Sequence, residues 1–240
     1  MTLTAQLAFD FPHRPRYAAS AFIAAPSNAD AMAWLDRTPD WPAGRLALWG
    51  DAGCGKTHLL HRWAARQGAT WVQGRALRGL PPAPDRALAI DDADAMADEE
   101  AMLHLLNAAA EAGTPVLLAG RAPPARWPTA LPDLASRLRA ITAVPIAPPD
   151  DELLRVLLAS LFQERRLPVP EDVQDWMRQR LPRRAGVMRE AAERLDLGQL
   201  AAHTKFTRRL AADCLAPLLT ECDEISDAGP HDAAPPMPLL

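Results

Sequence analysis

Lysine is nearly absent from this sequence: of its 26 basic residues only Lys56 and Lys205 are lysines, and the rest are arginines. A chain that uses arginine wherever a generic cation suffices keeps a lysine where a compact, mobile ammonium is required, which singles out Lys56. Cysteine is scarce as well. Cys54, Cys214 and Cys222 are odd in number and lack metal-ligand spacing, which argues against a disulfide framework or a zinc site and suits a reducing compartment. No apolar run is long and charge-free enough to span a bilayer, and the N-terminus lacks the basic start and apolar core of a secretory signal. A cytoplasmic protein with no membrane partner is the expectation. The net charge of −4 leaves no broad basic surface for nucleic acid, only room for a local patch.

What is present begins at Gly50-Asp51-Ala52-Gly53-Cys54-Gly55-Lys56-Thr57, the spacing glycine, four residues, glycine, lysine, hydroxyl. Glycines admit backbone conformations that a side chain blocks, so successive N–H groups can turn toward phosphate oxygens. Lys56 then supplies a charge for the outer phosphates and Thr57 a hydroxyl for a magnesium ion. The flanks agree: Arg45-Leu46-Ala47-Leu48-Trp49 reads as a short strand, and Thr57 through Trp63 opens a helix whose N-terminus favours an anion. Gly50 through Thr57, with His58 following, are the expected nucleotide-binding residues. Cys54 within the loop reads as a small tolerated residue.

A second signal is Ala87-Leu88-Ala89-Ile90-Asp91-Asp92, an apolar run that ends abruptly in carboxylates. Ligands of a parallel sheet collect outside the carboxyl ends of its strands. Asp91 is therefore placed to hold the magnesium shell together with Thr57, and Asp92 to orient an attacking water. Further strands are expected at residues 70–73, 115–119 and 141–146, with helices over 99–112 and 131–139. Strands alternating with helices predict an α/β domain with a mainly parallel sheet over residues 21–148. From Asp150 the pattern is helical only, predicting a small all-α lid over 149–219; helices are expected to Arg166, Leu181, Leu195 and Leu218. Residues 1–20 read as an extended arm, broken by Pro12 and Pro15. Residues 220–240, rich in Pro, Asp and Ala, read as a disordered tail. Within the arm, Gln6-Leu7-Ala8-Phe9-Asp10-Phe11 concentrates apolar side chains in a segment too short to form its own core. From the pattern alone it either docks on this protein's own surface or enters a pocket on a partner.

The sequence resembles the DnaA-related AAA+ proteins, and within them the Hda family of regulators that inactivate the replication initiator DnaA. The resemblance runs from the arm to about Leu218. It rests on Ala25-Pro26-Ser27-Asn28, on Gly50 to His61, on Ile90-Asp91-Asp92 and on Leu131-Pro132-Asp133-Leu134-Ala135-Ser136-Arg137-Leu138. It implies an AAA+ P-loop NTPase fold with a helical lid, ADP or ATP with Mg²⁺ as cofactor, and self-association together with a mixed contact with DnaA. Gln6, Leu7, Phe9 and Phe11 become the anchors of a peptide that binds the β sliding clamp on DNA. Arg137, otherwise one solvated arginine among many, matches the arginine finger that reaches a neighbouring subunit's nucleotide. The chain stops after the lid, where DnaA carries a helix-turn-helix domain, so direct sequence-specific DNA binding is not expected. Two positions depart from the family: the sensor after the fourth strand falls at Arg121, and the lid arginine falls near Gly186, with Arg184 or Arg189 close by. Weak intrinsic hydrolysis and a role as activator of the DnaA ATPase are the expectation. The alternatives are a self-acting AAA+ loader or remodeller and a non-hydrolytic clamp adaptor.

Overall fold

A computed structural model describes residues 22–80, 84–202 and 206–227. The arm carrying Gln6, Leu7, Phe9 and Phe11 lies outside these described residues.

Five strands form one parallel sheet: β1 (Arg45–Trp49), β2 (Thr70–Gln73), β3 (Leu88–Asp91), β4 (Val116–Gly120) and β5 (Thr142–Pro145), in the spatial order β2-β3-β4-β1-β5. The inner strands β3 and β4 are buried at every residue, whereas the edge strands β2 and β5 are mostly half-exposed. This is why 88–91 and 116–120 read as unbroken apolar runs: a parallel sheet is covered on both faces. Side chains alternate between those faces. Leu46, Leu48, Ala89 and Leu117 pack beneath α1 (Ala29–Asp36) and α2 (Lys56–Gln67), against Leu35, Leu59, Leu60 and Trp63. Ala47, Ile90, Val116 and Leu118 meet α3 (Glu99–Glu111) and α4 (Pro132–Arg139) through Met102, Leu106, Leu134 and Leu138.

Local chemistry sets the ends of these helices. Gly68 closes α2 in the left-handed region, at φ +60°. Asp98 caps α3 by accepting the Ala101 N–H at 3.0 Å. Pro132 occupies the first turn of α4, where its missing N–H costs nothing. Just before it, the Glu99 carboxylate accepts from the Thr129 hydroxyl at 2.7 Å and from the N–H groups of Ala130 and Leu131 at 3.0 and 2.9 Å, tying the start of α4 to the start of α3. The expected strands and helices of this region are found, with ends shifted by a residue or two.

The remaining helices are α5 (Asp151–Arg165), α6 (Glu171–Arg180), α7 (Ala185–Ala202) and α8 (Arg208–Asp227). Asp150 accepts the Leu153 N–H at 2.7 Å and starts α5. Two helices outrun the sequence reading: α7 passes Leu195, and α8 passes Leu218 to Asp227, into the stretch read as a tail. Pro217 lies inside α8, where it removes one backbone donor, yet Leu215 and Leu218 are buried on either side of it and hold the turn. The chain divides into two compact units. One runs through Leu153 and takes in Arg184–Gly186; the other holds Leu154–Arg183 and the chain from Val187 onward. The second has its own apolar interior, with Leu158, Phe162, Met177, Met188 and Leu195 all buried. Among the described residues no helix is long and apolar enough to cross a membrane.

Candidate functional site

The chain leaves β1 at Gly50 and enters α2 at Lys56, so the loop between them lies beyond the carboxyl edge of the sheet. Its glycines take φ values of +153° at Gly50, +79° at Gly53 and +110° at Gly55, which L side chains rarely adopt. At Gly50 space forbids a side chain as well: a Cβ there would stand 2.5 Å from the Ile146 carbonyl oxygen, where the chain leaves β5. The Lys56 ammonium donates to the carbonyl oxygens of Gly50 at 2.6 Å and Asp51 at 2.8 Å, and lies 3.7 Å from Cys54 Sγ. Burial pushes the Cys54 thiol above its ordinary pKa, against the opposing pull of Lys56. It sits in the loop as a neutral thiol, in keeping with a small tolerated residue.

The sheet order brings the first carboxylate to this loop. β4 stands between β1 and β3, and Asp91, ending β3, accepts the Thr57 hydroxyl at 2.9 Å. Asp91 is 5% exposed, and burial raises its pKa; the Thr57 hydroxyl and the Asp92 N–H oppose that rise. A hydroxyl and one carboxylate side by side suit a magnesium ion that takes its remaining oxygens from phosphates and water. Among the described residues no three His, Cys, Asp or Glu side chains gather into an all-protein cation cage. The positive-φ glycine loop, the Lys56 ammonium and the Thr57–Asp91 pair are of the chemistry that a magnesium nucleotide requires. Asp92, expected to orient water, has a left-handed backbone (φ +47°), and its half-exposed carboxylate lies 3.9 Å from Arg75 Nε. A third acid was missed in the sequence: Asp94 accepts the Arg121 backbone N–H at 2.7 Å and fixes the end of β4. The expected sensor position therefore carries an exposed arginine whose main chain is tied down by Asp94.

Other elements complete the surroundings. His58 is buried, with its ring edge-on to Phe22 at 5.2 Å between centroids. Phe22 also lies at the edge of van der Waals reach of a Cβ at Gly55, and the Arg62 guanidinium stands 5.9 Å over its ring. The Ala25-Pro26-Ser27-Asn28 stretch explains why Phe22 is there. Asn28, at the N-cap position of α1, folds its side chain back instead of capping, accepting the Ala25 N–H at 3.1 Å and donating to the Ile23 carbonyl at 3.0 Å. The Ala147 N–H donates to the Ser27 carbonyl at 3.0 Å, anchoring the same turn. On the other side of the loop, the Ala185 N–H donates to the Gly53 carbonyl at 3.2 Å, and Arg184 Cβ lies 3.2 Å from where a Gly53 Cβ would stand. Arg184 is the basic residue beside the loop, two positions from the Gly186 site.

Arg137 is elsewhere. It occupies the last turn of α4, half-buried, just ahead of β5, and its charge acts on Arg45 at the start of β1. The loop follows the other end of that strand, so about 16 Å of extended chain separates the level of Arg45 from Gly50.

No protein-family profile matches the chain. Solved structures resemble it in fold. Domain III of the replication initiation protein DnaA from Thermotoga maritima aligns with a TM-score of 0.70 at 16% identity, over 87% of this chain and 99% of that one. DnaA from Aquifex aeolicus, solved with AMPPCP bound, aligns at 0.58 and 14%, over 89% and 93% of the two chains. A Thermotoga maritima RuvB mutant aligns at 0.58 and 15%, over 72% and 62%. The parallel sheet with its flanking helices is thus similar in fold to DnaA domain III and to RuvB.

Proposed function

We propose that this protein is a nucleotide-binding AAA+ regulator of replication initiation, which docks on the β sliding clamp through Gln6, Leu7, Phe9 and Phe11 and presents Arg137 to ATP held by DnaA. The observation that carries the reading is the separation of Arg137 from its own phosphate loop, at opposite ends of β1. An arginine there does not serve this chain's nucleotide but is available to a neighbour's. A guanidinium fixed against the phosphates stabilises charge in the transition state and accelerates hydrolysis by about 10³ to 10⁵.

The chain's own loop would hold ADP or ATP. Its backbone N–H groups and Lys56 would bind the phosphates, and Thr57 and Asp91 would hold the Mg²⁺. The bound magnesium would neutralise phosphate charge. Arg184 supplies a further cation beside Gly53. With Arg121 at the sensor position and Asp92 turned toward Arg75, intrinsic turnover is weak, because phosphoryl transfer depends on correctly placed charges. The AMPPCP bound to the similar DnaA supports the choice of an adenine nucleotide.

The test is a reconstituted assay of DnaA ATP hydrolysis with clamp-loaded DNA. Arg137→Ala and deletion of residues 1–11 should each abolish the stimulation, and unchanged stimulation in either refutes the mechanism. Vigorous ATPase activity of the isolated protein, lost in Lys56→Ala, would instead identify a self-acting loader or remodeller. Clamp binding without any change in the nucleotide on DnaA would identify an adaptor.

A further inference from the structure

Arg45 is a buried cation with an unusual neighbour. It opens β1, is 8% exposed, and donates from one terminal nitrogen to the Leu106 carbonyl of α3 at 2.9 Å. Among the described residues no carboxylate pairs with Arg45, and none pairs with Arg137. Burying a guanidinium is costly, and a carboxylate usually offsets the cost. Here the charge that acts on it is a second guanidinium. Burial lowers the pKa of Arg45, and Arg137 lowers it further. A strand start packed on α3 could take an apolar side chain without that penalty, so the arrangement is poor for stability and calls for a functional account.

The fold places the two arginines together by register. Leu46 pairs with Thr142 of β5, and Arg137 lies one turn ahead of that strand, with the Ile141 N–H donating to the Leu138 carbonyl at 3.2 Å. Arg45 is fixed by its burial and its bond to α3, whereas Arg137 sits half-exposed on a helix end and its guanidinium has no hydrogen bond among the described residues. Like charges repel, so a buried Arg45 disfavours a conformation in which the Arg137 guanidinium folds back on the strand. Arg137 thus stands at the surface with a second, buried positive charge behind it, and two cations attract a polyanion more strongly than one.

We infer that Arg45 is a positioning residue for Arg137, a fixed second cation that keeps the finger extended and helps it engage the phosphate chain of a nucleotide held by another subunit. The inference rests on the reading that Arg137 acts across a subunit boundary. Arg45 touches no phosphate itself and acts through Arg137.

Two substitutions separate charge from scaffolding. Arg45→Gln removes the charge and leaves a polar but shorter side chain; Arg45→Lys keeps the charge and an N–H donor. Stimulated hydrolysis of DnaA-bound ATP is measured over a range of concentrations of each variant and of Arg137→Ala, giving a maximal rate and a half-saturating concentration. Melting temperature and affinity for the chain's own nucleotide are measured alongside. Arg45→Gln should lower the maximal rate about tenfold, with the half-saturating concentration, melting temperature and nucleotide affinity close to wild type. Arg45→Lys should keep most of the rate. The inference is overturned if Arg45→Gln stimulates normally, if Gln and Lys are equally impaired, or if Arg45→Gln loses activity only together with its fold. Should Arg137→Ala stimulate normally, the trans reading fails and takes this inference with it; should Arg137→Ala abolish stimulation while Arg45→Gln does not, this inference alone fails.

Discussion

Replacing Asp91 by asparagine exchanges a carboxylate for an amide of nearly the same shape in a side chain that is only 5% exposed. The asparagine oxygen still accepts the Thr57 hydroxyl, now at 2.9 Å from Asp91 Oδ2, so the main change is the loss of charge. Burial is the largest influence on Asp91 and raises its pKa, outweighing the Thr57 and Asp92 hydrogen bonds. A folded-state pKa above the unfolded one means that the ionised carboxylate costs stability. The cost is absent at low pH, where both states are protonated. It grows as pH rises from the unfolded to the raised folded pKa, and is complete above the latter. In the ligand-free protein at neutral pH, Asp91→Asn should therefore be stabilising by about 1–2 kcal/mol, the net penalty of a partly satisfied buried polar group. For a chain of this length that raises the melting temperature by about 2–8 °C. The same change removes the anion from the Thr57 pair, so the magnesium dependence of nucleotide affinity should disappear. Thermal melts of both proteins from pH 4 to pH 8, without nucleotide or metal, test the first part, and nucleotide titration with and without Mg²⁺ tests the second. A mutant that melts lower than wild type at pH 7, a gain that does not shrink as pH falls, or retained magnesium dependence would each refute the reasoning.

Arg184→Ala should weaken ATP binding by about tenfold, the loss of one charged contact, while leaving the melting temperature of the ligand-free protein unchanged; equal affinity in a direct titration removes Arg184 from the site. Trp63 is 1% exposed, stacks on Trp41 at 5.2 Å between centroids, and donates its indole N–H to Thr38 Oγ1 at 2.9 Å. Trp63→Ala should cost about 3–5 kcal/mol, read as a large drop in melting temperature, and a drop of under 3 °C would show that the helix face around α2 repacks without it.

What the sequence revealed depended on how local the determining physics is. The phosphate loop was legible because its demands are written in consecutive residues: glycines at Gly50, Gly53 and Gly55, the ammonium at Lys56, the hydroxyl at Thr57. The inner strands were legible because a parallel sheet buries both faces, which turns 88–91 and 116–120 into apolar runs. Asp91 could be placed because it ends such a run. The surroundings of Phe22, Asp94 and Arg45 could not be read, since each meets an element distant in sequence. Phe22 meets His58 only after Asn28 folds back on Ile23; Asp94 meets Arg121 only because β4 lies beside β3; Arg45 meets Arg137 only because β5 pairs with β1. The helix ends beyond Leu195 and Leu218 were not legible, since no local signal shows that α7 continues to Ala202 and α8 to Asp227.

Arg137 shows the same principle from the other side, because its sequence environment is ordinary and its position is not. On a helix with Leu134 and Leu138 in the core, an arginine at 137 is what any solvated flank carries. What sets it apart is its place relative to β1: a loop of the phosphate-binding pattern follows the carboxyl end, and near the amino end lie two guanidiniums, Arg45 and Arg137, that no carboxylate pairs among the described residues. A strand of five residues is too long for one end to serve the other, about 16 Å away. Two copies of such a domain, or this domain and one like it, could bring the cationic end of one against the anionic ligand of the other without rearranging either sheet. On the proposed function, one end of β1 holds this chain's phosphates and the other meets a neighbour's.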